Sequence, residues 1–223
     1  MSPDNPLSTE RDYFFLSKGH AVPALYSVLA ELGYFDKERL NNHLKASDDI
    51  YWHPNRKIPG IEYHSGSLGQ LLSLSIGVAL DLKLRKLPNK VICLMGDGEL
   101  NEGSNWESFL IASAYRLSNL TIIIDRNRIQ ANKKTEDLIP LEPLELKLLS
   151  FGLNVQNIDG HSFDEMNEAF LKSNLDCDKT NVIIANTTRG KALPSIENRT
   201  DKWFCNLSKE EINSLLNELH RNN

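Results

Sequence analysis

Apolar residues along this chain fall into two alternating kinds of run. Short segments at 90–95, 120–125, 153–158 and 181–186, dense in apolar residues except for the sparser LNVQNI at 153–158, predict strands. Longer stretches with a period near 3.6 predict helices over 69–86, 103–117, 143–150 and 163–173. The stretch 69–86 starts apolar nearly all round and ends charged, which suits a helix buried at its start. Residues 21–33 place Leu25, Val28, Leu29 and Leu32 on one helical face, and a second helix is predicted over 36–46, opening at Asp36. The stretch 47–64 has two prolines and no period, and reads as an ordered loop. Residues 187–207 are irregular. A closing helix over 208–221 has Ser208 as N-cap and Glu211 three residues on, a capping-box spacing. Strands alternating with helices predict an α/β fold, a doubly wound parallel sheet.

Composition narrows the setting. The 223 residues suffice for a single α/β domain and are few for two. A net charge of −5, with Lys and Arg scattered, gives no footprint for nucleic acid or for an anionic membrane. Cys93, Cys177 and Cys205 lack metal-ligand spacing, and Met1–Arg11 is polar and carries no secretory apolar region. No run reaches membrane-spanning length. A cytoplasmic location is the expectation.

The chemistry gathers where two predicted strands end. Gly96-Asp97-Gly98-Glu99 follows VICLM, and Asp125-Arg126-Asn127 follows LTIII. Ligands of parallel sheets bind at the carboxyl ends of strands. Asp97 and Asn127 then emerge as two hard oxygen donors, an arrangement suited to Mg²⁺ together with phosphate oxygens. The glycines around Asp97 let a phosphate approach the backbone. Singly, Asp97 also reads as a helix N-cap and Asn127 as a turn residue.

Four runs, LSKGHAVPALYSVLAELGYF (16–35), GSLGQ (66–70), GDGELNEGSNWES (96–108) and DRNRIQ (125–130), occur in an order that resembles the N-terminal half of transketolase. The likeness is nearest to the separately encoded N-terminal subunit of two-chain transketolases, and it covers almost the whole chain. The resemblance implies the thiamine-diphosphate-binding fold, with thiamine diphosphate and Mg²⁺ as cofactors and ketol transfer from a ketose to an aldose as the activity. It implies Asp97, Asn127 and the carbonyl of Ile129 as metal ligands, and a Gly98 N–H offered to the diphosphate. His20 matches a histidine at the diphosphate, though a histidine ahead of an apolar helix is more often structural. His53 matches a histidine near the reacting carbons, suited to moving hydroxyl protons. Gly66 and Leu68 match residues lying against the cofactor, or form a tight turn into the next helix. Glu102 matches a carboxylate at a subunit interface and equally suits the start of a helix. His64 reads as a loop histidine, and His161 receives no chemistry.

The resemblance also marks departures. An opening helix and a GHPGG-like segment, with another active-site histidine, have no counterpart in the chain, so the single domain 1–223 is expected to be shortened at its N-terminus. Phe204 stands where a histidine is expected, and Leu71 and Arg128 replace common glycines, with Arg128 expected to redraw the site mouth. A glutamate that activates the aminopyrimidine belongs to a pyrimidine-binding half in the family. The implied partner is therefore a C-terminal transketolase subunit, in a two-fold heterotetramer or beside a self-associating dimer, acting on sugar phosphates. Two alternatives remain: a thiamine-dependent carboligase with a different acceptor, and a non-catalytic cofactor-binding scaffold subunit.

Overall fold

A computed structural model of the chain describes residues 3–174, 178–203 and 206–222. Five strands form one parallel sheet: β1 (Tyr13–Leu16), β2 (Val91–Gly96), β3 (Leu120–Arg126), β6 (Asn154–Asp159) and β7 (Asn181–Asn186), in the order β1-β2-β3-β7-β6. The helices are α1 (Val22–Glu31), α2 (Leu71–Leu84), α3 (Gly103–Ala114), a single turn α4 (Thr135–Leu138), α5 (Leu144–Ser150), α6 (Phe163–Ser173) and α7 (Lys209–Asn222). A small antiparallel hairpin, β4 (Ile129–Gln130) with β5 (Lys133–Lys134), lies between β3 and α4.

The register brings the strand ends level, with Gly96 opposite Asp125 and both Arg126 and Asp159 opposite Asn186. Side-chain alternation then divides the apolar residues between the two faces. Val91, Cys93 and Met95 of β2 join Leu120, Ile122 and Ile124 of β3 under α2 and α3, where Leu72, Phe109 and Leu148 complete the larger core. Burial pushes the Cys93 thiol up to about 12. On the other side, α1 and the 47–64 loop cover Leu16 with Val22, Tyr26, Leu29, Ile50, Ile58 and Ile61.

All four predicted strands are present within a residue or so of the expected bounds, and the helices over 69–86, 103–117, 143–150 and 163–173 are present, mostly shorter. At α7 the capping box closes in both directions: Ser208 N–H donates to Glu211 Oε2 at 2.8 Å, and Glu211 N–H to Ser208 Oγ at 3.2 Å. The edge strand β1 has no sequence signal, because YFFL is too short to show alternation. Two expectations need correcting. The predicted 36–46 helix is a 3₁₀ helix over Lys37–Asn42, although Asp36 does cap it by accepting from Glu38 N–H at 2.9 Å. Helix α1 buries Val22, Tyr26, Leu29 and Ala30, which leaves Val28 and Leu32 of the predicted stripe exposed.

The 47–64 loop is ordered without regular structure. Asp48 accepts from Arg39 Nε at 3.0 Å, Ile50 N–H at 3.1 Å and Asn42 Nδ2 at 3.2 Å. These bonds, chiefly that to Arg39, hold its carboxyl down to about 2. The buried Tyr26 hydroxyl reaches up to donate to the His53 carbonyl at 3.1 Å.

Candidate active site at the strand tips

A cavity of about 560 Å³ opens at the carboxyl ends of β2, β3 and β7. Asp97, Gly98 and Glu99 line it from the end of β2, Asp125 and Asn127 from β3, Ile129 from the hairpin, and Thr187, Thr188 and Arg189 from the chain after β7. Lys18, His20, Leu68, His161 and Trp203 complete the wall. Every predicted cofactor or metal residue except Gly66 is therefore in this wall.

Asp97 is 1% exposed, and each of its oxygens is differently employed. Oδ2 accepts from Arg128 N–H at 2.6 Å and from Arg126 Nη1 at 3.0 Å, while Oδ1, among the described residues, accepts only from Gly98 N–H at 2.7 Å. Burial pushes this carboxyl up from the ordinary range, opposed by the Arg128 N–H and by Arg126. The N–H of Gly98, expected to face a diphosphate, is thus committed to Asp97 as the nearest acceptor. Gly98 itself is required by crowding, since a Cβ there would lie 2.7 Å from Gln130 Cγ. Asn127 Oδ1 accepts from Ile129 N–H at 2.9 Å, the turn geometry anticipated as its plain role, and a carbonyl oxygen retains a second lone pair.

Arg126 was overlooked in the sequence. Alternation turns its side chain away from the cavity, where it is 1% exposed and held by Asp97, Glu136 and Glu142, and by Thr135 Oγ1 at 2.8 Å. Arg128 adopts φ of +63°, the left-handed conformation that explains a glycine preference at this position. Its guanidinium reaches Asn186 Oδ1 at 3.2 Å and lines a different cavity, beside Glu142 and Asn157, so it does not redraw the mouth of this one.

Other residues missed in the sequence complete the polar wall. Lys18 pairs with Asp125, whose second oxygen accepts from Thr187 Oγ1. Glu99, 2% exposed, accepts from Ser17 Oγ, from Gly69 N–H at 3.0 Å and from Gly96 N–H at 3.2 Å, tying three segments together. His161, given no chemistry from sequence, accepts from Thr188 N–H at 2.8 Å through Nε2. The segment 187–190 directly follows a strand end, so the rule that pointed to Asp97 also pointed there.

His20 packs edge-on against Trp203 with centroids 5.1 Å apart and remains exposed. Partial burial, then the charges of Lys18 and His53, push its imidazole down to about 4. His53 is exposed on its loop and lies against Gly66 outside the cavity wall. Gly66 has φ of +140°, and a Cβ on it would sit 2.8 Å from His53 Cδ2, so only glycine seats the ring. Glu102 is exposed at the N-cap of α3, with its Cβ over Gly69 and no side-chain capping bond. His64 is exposed beside Tyr63. Phe204 lies outside the described residues, as do Cys177 and Cys205.

A parallel α/β sheet with a polar cleft at its strand ends puts the chain in the doubly wound class, whose ligands bind at that edge. The family model for the transketolase thiamine diphosphate binding domain matches residues 1–222. The chain is 37% identical, over 222 residues, to the 6-deoxy-6-sulfo-D-fructose transketolase subunit SqwG of Clostridium sp. (strain MSTE9), covering 99% of this chain and 81% of that one. It is 36% identical over 219 residues to an apulose-4-phosphate transketolase subunit of Actinobacillus succinogenes, covering 97% and 79%. Transketolase from Campylobacter jejuni superposes with a TM-score of 0.90 at 29% identity, over 98% of this chain and 36% of that enzyme. The chain belongs to the transketolase thiamine-diphosphate-binding domain family, and its relatives include subunits of two-part transketolases. Among the described residues no helix is long and apolar enough to cross a membrane.

Proposed function

We propose that this chain is the diphosphate-and-metal half of a split transketolase, acting in two-carbon ketol transfer from a ketose to an aldose. The observation that supports it best is the strand-tip cavity, where Asp97, Asn127 and Ile129 share a wall with Lys18, His20 and Arg189. The donor set fits Mg²⁺: one carboxylate oxygen with a single hydrogen bond, one amide oxygen and one backbone carbonyl are all hard oxygens, leaving positions for phosphate and water. When bound, thiamine diphosphate supplies an electron sink for cleavage of a carbon–carbon bond beside a carbonyl.

The protein's own part is orientation and proton handling. Asp97 and Asn127 would hold the metal, which would neutralise the diphosphate. Arg189 adds a cation to the same wall. His20 is neutral at physiological pH, so it offers a phosphate oxygen one N–H rather than a charge. Leu68 gives apolar contact, and Gly66 allows His53 to lie close by, where His53 exchanges a proton with a substrate hydroxyl. Glu102, exposed at the start of α3, is free to meet a carboxylate network across a subunit boundary. The partner is a pyrimidine-binding subunit that supplies the aminopyrimidine-activating glutamate, in a two-fold assembly.

The test is calorimetry on the complex with that partner. Asp97→Ala should abolish Mg²⁺-dependent thiamine diphosphate binding while the circular dichroism of the fold persists. Wild-type cofactor affinity in the folded variant would overturn the assignment.

A further inference from the structure

Behind the cavity wall, and outside it, Arg126 occupies a position that cofactor binding alone does not explain. Its guanidinium is 1% exposed and has carboxylates on two sides: Asp97 inward, and Glu136 and Glu142 outward, each at 2.8 Å from Nη2. Nη1 adds Thr135 Oγ1, a fully buried hydroxyl, at 2.8 Å. The outer carboxylates are themselves fixed by backbone donors, Leu141 N–H to Glu136 at 3.2 Å and Leu144 N–H to Glu142 at 2.9 Å. The guanidinium therefore has one rotational setting, imposed from outside the site.

That setting orients Asp97. Arg126 Nη1 and Arg128 N–H both take Oδ2, so the carboxylate cannot turn without losing two charge-assisted bonds. Oδ1 keeps the Gly98 N–H as its one donor among the described residues, and Asp97 lines the cavity. We infer that Arg126 is a positioning residue for the metal-binding carboxylate: it locks Asp97 so that one oxygen is presented to the divalent cation. The inference rests on the proposed role of Asp97 as a metal ligand.

Charge and orientation make opposite demands here. A positive group 3.0 Å from a ligand oxygen opposes a second cation electrostatically, so deleting it for charge reasons alone would tighten metal binding. Loss of an orienting partner instead typically weakens metal affinity about 10–100-fold. The sign of the effect therefore identifies the role.

The experiment titrates Mn²⁺ into the full chain in complex with its partner, at saturating thiamine diphosphate, following free Mn²⁺ by electron paramagnetic resonance. Melting curves without metal are recorded in parallel. Arg126→Met and Arg126→Lys should each weaken Mn²⁺ binding by at least about tenfold, because neither can bridge three carboxylates. Glu142→Gln, on the outer side, should weaken it by a smaller factor. Unchanged or tighter Mn²⁺ binding in folded Arg126→Met overturns the inference, as does full rescue by lysine, which would reduce the role to charge. Should Arg126→Met fail to fold, unchanged affinity in both Arg126→Lys and Glu142→Gln overturns it. If the wild-type protein shows no cofactor-dependent Mn²⁺ binding, the metal reading of Asp97 fails first, and this inference with it.

Discussion

The strand-tip wall and the 47–64 loop, joined in one site under the proposed function, are built with different mechanics. In the wall, Asp97 and Glu99 are almost fully buried, and three or more donors engage each carboxylate. In the loop, His53 is exposed, and what restrains its segment is a Tyr26 hydroxyl bond, the Asp48 cluster and three buried isoleucines. A buried polar network holds one geometry because each orphaned group is costly. An exposed histidine on a loop is free to move with its substrate. Under the proposed function the two ends would take different tasks: the tips would hold a group that stays, and the loop would serve molecules that pass through.

The largest test of this contrast is His53→Ala in the active complex. Turnover should fall about 10²–10⁴-fold while calorimetric cofactor affinity stays at the wild-type level. A parallel fall in affinity would erase the division. Next, Glu99→Ala should cost about 1–3 kcal/mol in denaturant unfolding, because the buried Gly69 N–H and the part-buried Gly96 N–H lose their acceptor. A variant as stable as wild type would show that water replaces the carboxylate and that the wall tolerates a gap at its centre.

On the loop side the effect is of similar size and depends on pH. Asp48→Asn should lose about 1.5–3 kcal/mol at neutral pH, the worth of hydrogen bonds to a charged group. The folded carboxyl sits at about 2, below its ordinary 3.8, so its contribution is present above 3.8 and disappears as pH falls through 2. The two unfolding curves should converge over that window, and a gap that persists in acid would assign the loss to shape. The smallest signal is the His20 titration by NMR. Its midpoint should fall near 4, with the stability from neutral His20 present above 6.5 and fading as pH drops toward 4. A midpoint near 6.5 would place the ring in solvent and remove it from the wall.

Much of this architecture is legible in the chain itself. Apolar blocks mark β2, β3 and β7, the sparser LNVQNI marks β6, and the residues just after two of these strands mark Asp97 and Asn127, because alternation and strand-end geometry are local properties. What stays hidden is pairing at a distance. Lys18 meets Asp125, Ser17 meets Glu99 and Arg126 meets Glu142, and each pair depends on a register that periodicity does not encode. Arg126 in particular sits in the run DRNRIQ directly before Asn127, but only the strand's alternation shows that it faces the other way. The α1 stripe fails for a related reason. A 3.6-residue period finds an apolar face, but Tyr26, amphipathic and easily passed over, is the residue that the 47–64 loop covers.

Cys93 gives the middle of this sheet a clock. Its sulfur is fully buried on β2, with β1 and β3 on either side, and its thiol is held protonated far above neutral pH. Alkylating reagents react with thiolates, so this residue stays silent until neighbouring strands part. The rate at which the peptide carrying Cys93 becomes modified then counts openings of the central strands. Compared with amide exchange in the 47–64 loop, that rate would tell whether the loop breathes alone or whether both regions open in one cooperative event.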